Sequence, residues 1–297
     1  MPCGAGFLGT INNRGEIMEI SWLYKSEAGQ REVMAFYDTV LSAWPEPYQK
    51  LNVATRYGNT FVIASGEKSL PPLVLLHGAS SNAVSWIGEA AAYSRHFRVY
   101  AVDIIGEPGR SAPARPSWIG GAYTEWMEDV FDGLGLESAS LLGISQGAWV
   151  ALKFAVSHPE RVARLVLLTP AGITPARLSF ILRVIPLTML GKRGAEMSNR
   201  IVFGRQPIHP DVLKYMNAIM TYFKPRIGSV PLFTDSELQR LKMPVFLMVG
   251  ERDALYPSRR IVSRLRTLVP HMEAIIDPEM GHVLFGISGR VLPFLTS

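Results

Sequence analysis

The sequence has a single cysteine, Cys3, among its 297 residues. An intramolecular disulfide is therefore impossible, and the fold has to be stabilised by its hydrophobic core. This fits a protein of the reducing cytoplasm, where we expect it to work. Cys3 has no histidine near it in the sequence, so we do not expect it to act as a nucleophile.

Long apolar runs are also absent. The longest candidate, Leu178–Leu190, is interrupted by Arg183 and Pro186, and it falls short of the roughly 18 residues that a membrane-spanning helix needs. The first 25 residues carry charged and amide side chains where a secretory signal would need an unbroken apolar stretch. We therefore expect neither stable membrane insertion nor export by the usual signal.

Most of the chain has no excess of basic residues over acidic ones. The formal charge is +5, but residues 171–240 hold ten Lys/Arg against four Asp/Glu, a net of +6 that leaves −1 for all other positions. These basic side chains are dispersed, and no zinc-finger, helix-turn-helix or aromatic-basic RNA-binding pattern accompanies them. Nucleic acid is therefore not a predicted partner.

The composition, 48% hydrophobic and 19% charged, is typical of a globular protein with a large core. Residues 28–44 place apolar side chains at helical spacing, which predicts an N-terminal helix packed on the main domain. A β-hairpin is predicted from two short runs and a turn between them: Val53–Arg56, Tyr57-Gly58-Asn59 and Thr60–Ala64.

Short apolar runs then alternate with helical stretches. The runs are Leu73–Leu76, Val99–Val102, Ala139–Leu142, Leu165–Leu168, Val245–Val249 and Glu273–Ile276. The helical stretches are Val84–Ser94, Ala122–Leu134, Ala148–Ser157 and Ser258–Leu268. Because the runs are apolar on both faces, the pattern predicts a mostly parallel, doubly wound sheet covered by helices on both sides.

The alternation breaks once, from about Gly172 to Leu241, where the periodicity is helical and six prolines act as breaks. We predict a helical cap inserted between the sixth and seventh strands. The predicted organisation is thus an N-terminal helical extension over residues 1–50, a core over 51–171 and 242–297, and a cap over 172–241.

The strongest chemical signal is a Gly-x-Ser-x-Gly motif, residues 143–147, placed between an apolar strand and a helix. Small residues at both ends allow Ser145 to sit in a strained turn at the carboxyl end of the strand, as a nucleophile elbow requires. The helix start also brings N–H groups and a positive dipole end close to the reacting carbonyl. Ser145 is therefore the predicted nucleophile.

An oxyanion hole needs two N–H donors. One is predicted from Gln146, the residue after the nucleophile, and the other from Ala79, in the loop that follows the strand ending in His77-Gly78. Gly78 would let that backbone approach the substrate. His77 is predicted to support the loop, with catalysis as the alternative.

Among six histidines, His282 is the predicted general base because it follows the last apolar run at a strand end. The others lie at the opposite edge of the sheet, at a helix end or within the cap: His96, His271, His158 and His209. Asp253 follows the strand Val245–Val249 and is predicted to orient the imidazole, with Glu251 as its rival. The order Ser145, Asp253, His282 is the one expected on such a sheet.

These motifs together resemble the α/β-hydrolase fold family over roughly residues 50–297. The matching residues are His77-Gly78, Asp103 with Gly106, Gly109 and Ser111, the elbow 143–147, His158–Val162, Gly250–Asp253 and Gly281-His282. The resemblance implies eight strands, a helical cap and no cofactor or metal, and the first 50 residues resemble the extension of bacterial carboxylesterase-like members. The loop from Asp103 to Ser111 is one residue longer than the commoner family pattern.

The predicted function is hydrolysis of a small-molecule ester through an acyl-enzyme. The cap is expected to roof an apolar pocket, with substrate contacts from Gly78, Trp149, Phe180, Met220 and Phe223. Two further readings remain open on the sequence: hydrolysis of a carbon–carbon bond or cofactor-free perhydrolysis on the same triad, and a ligand receptor without catalysis. The serine nucleophile argues against haloalkane dehalogenases and epoxide hydrolases, whose nucleophile is aspartate.

Overall fold

The computed structural model describes residues 10–11, 17–18, 21–44, 47–204 and 208–297. Cys3 and most of the first 25 residues lie outside this part of the chain, so the predictions made for them stay predictions. A pair of two-residue antiparallel strands, Thr10–Ile11 and Ile17–Met18, precedes the main body.

One sheet of eight strands forms the centre of the molecule. In chain order the strands are β1 (Tyr48–Thr55), β2 (Gly58–Ser65), β3 (Pro72–Leu76), β4 (Arg98–Val102), β5 (Ala139–Ile144), β6 (Val162–Leu168), β7 (Val245–Gly250) and β8 (Glu273–Asp277). Their spatial order is β8-β7-β6-β5-β3-β4-β2-β1. Neighbours from β8 to β4 are parallel, whereas β2 is antiparallel to both β4 and β1. The predicted doubly wound, mostly parallel, eight-stranded sheet is therefore confirmed.

The helices cover both faces of this sheet. In the described part of the chain they are α1 (Glu27–Ser42), α2 (Ile87–Ser94), α3 (Ala122–Gly133), α4 (Gln146–Ser157), α5 (Leu178–Leu187), α6 (Gly191–Phe203), α7 (Pro210–Tyr222), α8 (Asp235–Leu238), α9 (Ser258–Leu268) and α10 (Ser288–Thr296). Along β3, Val74 and Leu76 join a core shared with α3, α4 and α9, while Leu73 and Leu75 join an opposite core shared with α1, α2 and α10. Strands buried on both faces account for the continuous apolar runs.

The first hairpin is longer than the sequence pattern predicts. Its turn consists of Arg56 and Tyr57, and Gly58, at φ +102°, already begins β2. β1 lies at the edge of the sheet with Gln49 and Lys50 exposed, so its first residues carry no hydrophobic signal. The boundary predicted at residue 50 therefore falls inside a strand.

The segment between β6 and β7 is helical, and no strand of the sheet lies in its described residues. Helices α5, α6 and α7 form most of it. Phe233, Leu238 and Leu241 instead belong to the core that α4 and α9 share, so the end of the predicted cap segment packs with the sheet. Over the described residues, no helix combines the length and the apolar character that crossing a bilayer demands.

The N-terminal helix α1 connects the core with the helical segment. Ser26 caps it, since its hydroxyl accepts a hydrogen bond from the Gly29 N–H (3.1 Å). Gly29 packs so closely on Tyr222 of α7 that a Cβ would overlap that side chain. On the other side, the Tyr37 hydroxyl donates to Asp103 Oδ2 (2.9 Å), and both residues are buried.

The loop after β3 is fixed by His77, which is fully buried. Its Nε2 accepts a hydrogen bond from the Ile104 N–H (2.9 Å), and its Nδ1 lies 2.8 Å from the Gly78 carbonyl oxygen. The neutral ring therefore donates from Nδ1 and joins the ends of β3 and β4. Burial lowers the pKa of His77 from 6.5 to about 4.

We expect the Tyr37→Phe variant to be less stable than the wild type by about 2 kcal/mol, because a buried carboxylate loses one donor. Urea denaturation measures the free energy of unfolding. Tyr48→Phe is the control, since the Tyr48 hydroxyl has no hydrogen bond to another described residue. Equal losses in the two variants would contradict the assigned role.

We also expect His77 to make the protein sensitive to acid. The unfolded chain binds a proton near pH 6.5 that the folded chain binds only near 4. The free energy of unfolding should therefore fall as the pH drops through this window, by up to about 3 kcal/mol from this group. His77→Gln should flatten that slope, whereas the exposed His96→Gln should leave it unchanged. Parallel slopes in wild type and His77→Gln would refute this prediction.

Candidate active site

The Gly-x-Ser-x-Gly motif forms a sharp turn between β5 and α4. Ser145 has φ +54° and ψ −111°, a strained conformation for a residue other than glycine. A Cβ at Gly147 would overlap the carbonyl oxygens of Leu76 and His77, and a Cβ at Gly143 would overlap Gly147. Both glycines are therefore required by the close approach of the turn to β3 and to itself.

The structure brings Ser145, His282 and Asp253 together at one edge of the sheet. His282 Nε2 lies 2.9 Å from Ser145 Oγ, and His282 Nδ1 lies 2.9 Å from Asp253 Oδ2. Both His282 and Asp253 are buried. The distances fit a neutral imidazole that donates to the carboxylate from Nδ1 and accepts the serine proton at Nε2.

Asp253 is held by the loop that follows β7. Its Oδ1 accepts hydrogen bonds from the N–H groups of Leu255 (2.7 Å) and Tyr256 (3.0 Å), which leaves Oδ2 for the imidazole. The rival Glu251 instead pairs with Arg259 at the surface (2.8 Å). The geometry therefore favours Asp253 as the partner of His282.

Four of the other five histidines have side-chain partners elsewhere, and the fifth, His96, is exposed just before β4. Both nitrogens of His77 have partners, so it cannot also serve Ser145. His158 lies 2.6 Å from a carboxylate oxygen of Glu128, His209 caps α7, and His271 Nε2 lies 3.0 Å from the Met243 carbonyl oxygen.

Two contacts of the His282 loop are not apparent from the sequence. The hydroxyl of Thr169, just after β6, donates to the His282 carbonyl oxygen (2.9 Å), and Thr169 is fully buried. The His282 N–H donates to the carbonyl oxygen of Val202, near the end of α6 (3.3 Å). Thr169 has φ +41°, and its position at a strand end beside Pro170 is the one signal that could have marked it.

The residues predicted for an oxyanion hole lie beside Ser145. A Cβ at Gly78 would come within 3.7 Å of Ser145 Cβ, which is ordinary contact, so the loop after β3 adjoins Ser145. Ala79 is exposed, and Gln146 begins α4. Among the described residues, neither the Ala79 N–H nor the Gln146 N–H donates to another protein group. Both N–H groups are therefore unpaired in the described part of the chain.

Asp103 organises the loop that follows β4. Its carboxylate accepts hydrogen bonds from the N–H groups of Ala83 (2.6 Å) and Arg110 (2.7 Å), and from the Tyr37 hydroxyl. A Cβ at Gly109 would overlap this carboxylate. Asp103 is therefore a structural residue of the Gly106–Ser111 turn.

The predicted substrate contacts differ in their accessibility. Gly78, Phe180 and Met220 are partly exposed, whereas Trp149 and Phe223 are buried. Trp149 donates from its indole N–H to the Pro231 carbonyl oxygen (3.0 Å), and Phe223 packs edge-on against Tyr24. The structure thus differs from the prediction at Trp149 and Phe223, because protein packing covers both rings. In the described residues, no cluster of three or more His, Cys, Asp or Glu side chains could hold a metal ion.

Comparisons with known proteins agree with this architecture. The sequence profile of the alpha/beta hydrolase fold matches residues 71–188. The chain is 38% identical to carboxylesterase YbfK of Bacillus subtilis over 284 residues, which cover 91% of this chain and 95% of that relative.

Solved structures extend the likeness. The crystal structure of carboxylesterase CesB (YbfK) from Bacillus subtilis superposes with a TM-score of 0.82 at 36% identity, covering 90% of this chain and 98% of that one. The crystal structure of naproxen esterase (carboxylesterase NP) from Bacillus subtilis superposes with a TM-score of 0.82 at 31% identity, covering 91% of this chain and 99% of that one. The chain therefore belongs to the α/β-hydrolase fold family, among its carboxylesterase-like enzymes.

Proposed function

We propose that this protein hydrolyses carboxylic esters of small apolar substrates through an acyl-enzyme on Ser145. The observation that carries the proposal is the hydrogen-bonded row of Ser145, His282 and Asp253, with 2.9 Å at both links. The similarity to proteins named carboxylesterase supports the reaction class.

The geometry suggests how each group would act. His282 Nε2 removes the proton of Ser145 Oγ as the oxygen attacks the ester carbonyl, and Asp253 stabilises the imidazolium that forms. The N–H groups of Ala79 and Gln146 hold the oxyanion. His282 then protonates the leaving alcohol, and the same base activates a water molecule that releases the acid.

The helical segment between β6 and β7 would supply the acyl pocket. Phe180 on α5 and Met220 on α7 are apolar and only partly buried, so they could contact a ligand. α6 reaches the loop of His282 through the bond from the His282 N–H to Val202. An apolar acyl group between these helices and Ser145 would remain close to the reacting atoms.

We expect Ser145→Ala to fold normally and to lose about 10⁶-fold in kcat, because the nucleophile acts as one unit with its base. Turnover of a short-chain p-nitrophenyl ester measures this loss, and a fluorophosphonate probe should label the wild type but not the variant. Ser157→Ala, on the same helix but exposed, is the matched control and should react like the wild type. Labelling of Ser145→Ala at the wild-type rate would exclude Ser145 as the nucleophile.

We expect Thr169→Val to lower kcat about tenfold with little change in KM, because the His282 loop loses the hydrogen bond that fixes its carbonyl group. Thr169→Ser keeps a hydroxyl and should restore most of the turnover. Steady-state kinetics, normalised to the concentration of sites that the fluorophosphonate labels, distinguish this effect from misfolding. If both variants lose kcat equally, Thr169 does not act through its hydroxyl.

A further inference from the structure

A second acidic side chain lies beside the proposed oxyanion hole and takes no part in the triad. Glu107 is buried in the loop that follows β4. Its Oε2 accepts a hydrogen bond from the Ser80 N–H (2.8 Å), and its Oε1 accepts one from the Gln146 side-chain amide (2.9 Å).

These two partners belong to the two segments that carry the free N–H groups. Ser80 directly follows Ala79, and its φ of +52° places it in the left-handed region that favours glycine. Gln146 carries its own free N–H on the backbone. One carboxyl group therefore joins the loop after β3 to the first residue of α4.

The main chain of Glu107 is itself fixed. Its N–H donates to the Ile104 carbonyl oxygen (3.3 Å), and its carbonyl oxygen accepts from the Gly109 N–H (2.8 Å). The adjacent Pro108 carbonyl oxygen accepts from the Asn82 side chain (2.8 Å). Because its main chain is held in place, the Glu107 carboxyl group can hold the Ser80 N–H and the Gln146 side chain in fixed positions.

We propose that Glu107 is the positioning residue of the oxyanion hole, and that its carboxyl group keeps the N–H groups of Ala79 and Gln146 aimed at one point. The inference rests on the proposed function, since it assigns a role only if an oxyanion forms at Ser145. Misplacing one donor of such a hole costs roughly 10²–10³ in kcat.

Burial of the Glu107 carboxyl group works against its ionised form and so lowers the stability of the fold at neutral pH. Burial raises the pKa of Glu107 to about 7, although the guanidinium groups of Arg115 and Arg226 lower it in part. The phenols of Tyr24 and Tyr123 also lie within range of its charge. A folded-state pKa above the unfolded value of 4.5 means that stability falls as the pH rises from about 4.5 to 7.

The test compares Glu107→Leu with Glu107→Gln. Glu107→Leu removes both acceptors, and we expect kcat to fall about 100-fold while KM stays within about threefold. The inhibition constant of a trifluoromethyl ketone, whose adduct with Ser145 carries the oxyanion, should rise by the same factor. Glu107→Gln should retain kcat within about tenfold. The amide oxygen of the new side chain can accept from the Ser80 N–H, and the Gln146 amide can turn so that its oxygen accepts from the NH₂ group of the new side chain.

Glu89→Leu is the matched control. Glu89 is also a buried glutamate that accepts two N–H groups, from Ile287 (3.1 Å) and Ser288 (2.9 Å), but it holds α10 and not the hole. All rates are divided by the concentration of sites labelled by a fluorophosphonate. Glu89→Leu should melt at a lower temperature with kcat per labelled site unchanged.

Two outcomes would overturn the inference. Glu107→Leu could retain wild-type kcat per labelled site, or it could lose kcat while the inhibition constant of the trifluoromethyl ketone stays at the wild-type value. In both cases the wild type would still hydrolyse esters and label at Ser145, so the proposed function would stand. A wild type that neither labels nor turns over would instead refute the proposed function itself.

Discussion

The close packing of the first turn of α4 against the end of β3 is the constraint on which the site depends. Gly147 allows the helix to approach the carbonyl oxygens of Leu76 and His77 closely, and the chain enters that helix through Ser145 at a φ of +54°. The same approach brings Gln146 next to the loop that carries Ala79. The position of Ser145 and the placement of the Gln146 N–H beside the loop of Ala79 both follow from this backbone contact, which accounts for the strain at Ser145.

The elements outside the sheet are tied to this edge by individual hydrogen bonds. α6 contacts the loop of His282 through Val202, and α1 reaches the loop after β4 through the bond from Tyr37 to Asp103. α1 also packs on α7, so the N-terminal helix and the helical segment support one another. Neither hydrogen bond involves a side chain of Ser145, His282 or Asp253, so α1 and α6 support the loops of this edge from outside.

The sequence pattern predicts those features whose physical cause is local. Apolar runs mark the central strands, and the glycines around Ser145 mark the elbow, because each reflects the packing of its own neighbours. For the edge strand β1 the sequence pattern predicts only the end, from Val53, because the exposed side chains before it carry no hydrophobic signal. Thr169 and Glu107 are missed because their roles arise from pairings between distant segments. The sheet topology creates these pairings, and no local pattern records them. Trp149 and Phe223 are apolar like the lining of a ligand pocket, yet neighbouring protein groups bury both rings, which the sequence pattern does not show.

Three buried carboxyl groups lie along this edge of the sheet, and each accepts a different set of hydrogen bonds. Asp253 shares its two oxygens between an imidazole and two N–H groups, while Asp103 holds two loops and α1 through three donors. Among the described residues Glu107 has two hydrogen-bond donors, and burial raises its pKa to about 7. Burial also raises the pKa of Asp103. A carboxyl group suits all three positions because its two oxygens together offer about four acceptor sites in diverging directions, against two on a single hydroxyl oxygen. Of the three, Glu107 has the fewest donors among the described residues, and its donors come from the two segments that carry the N–H groups of Ala79 and Gln146.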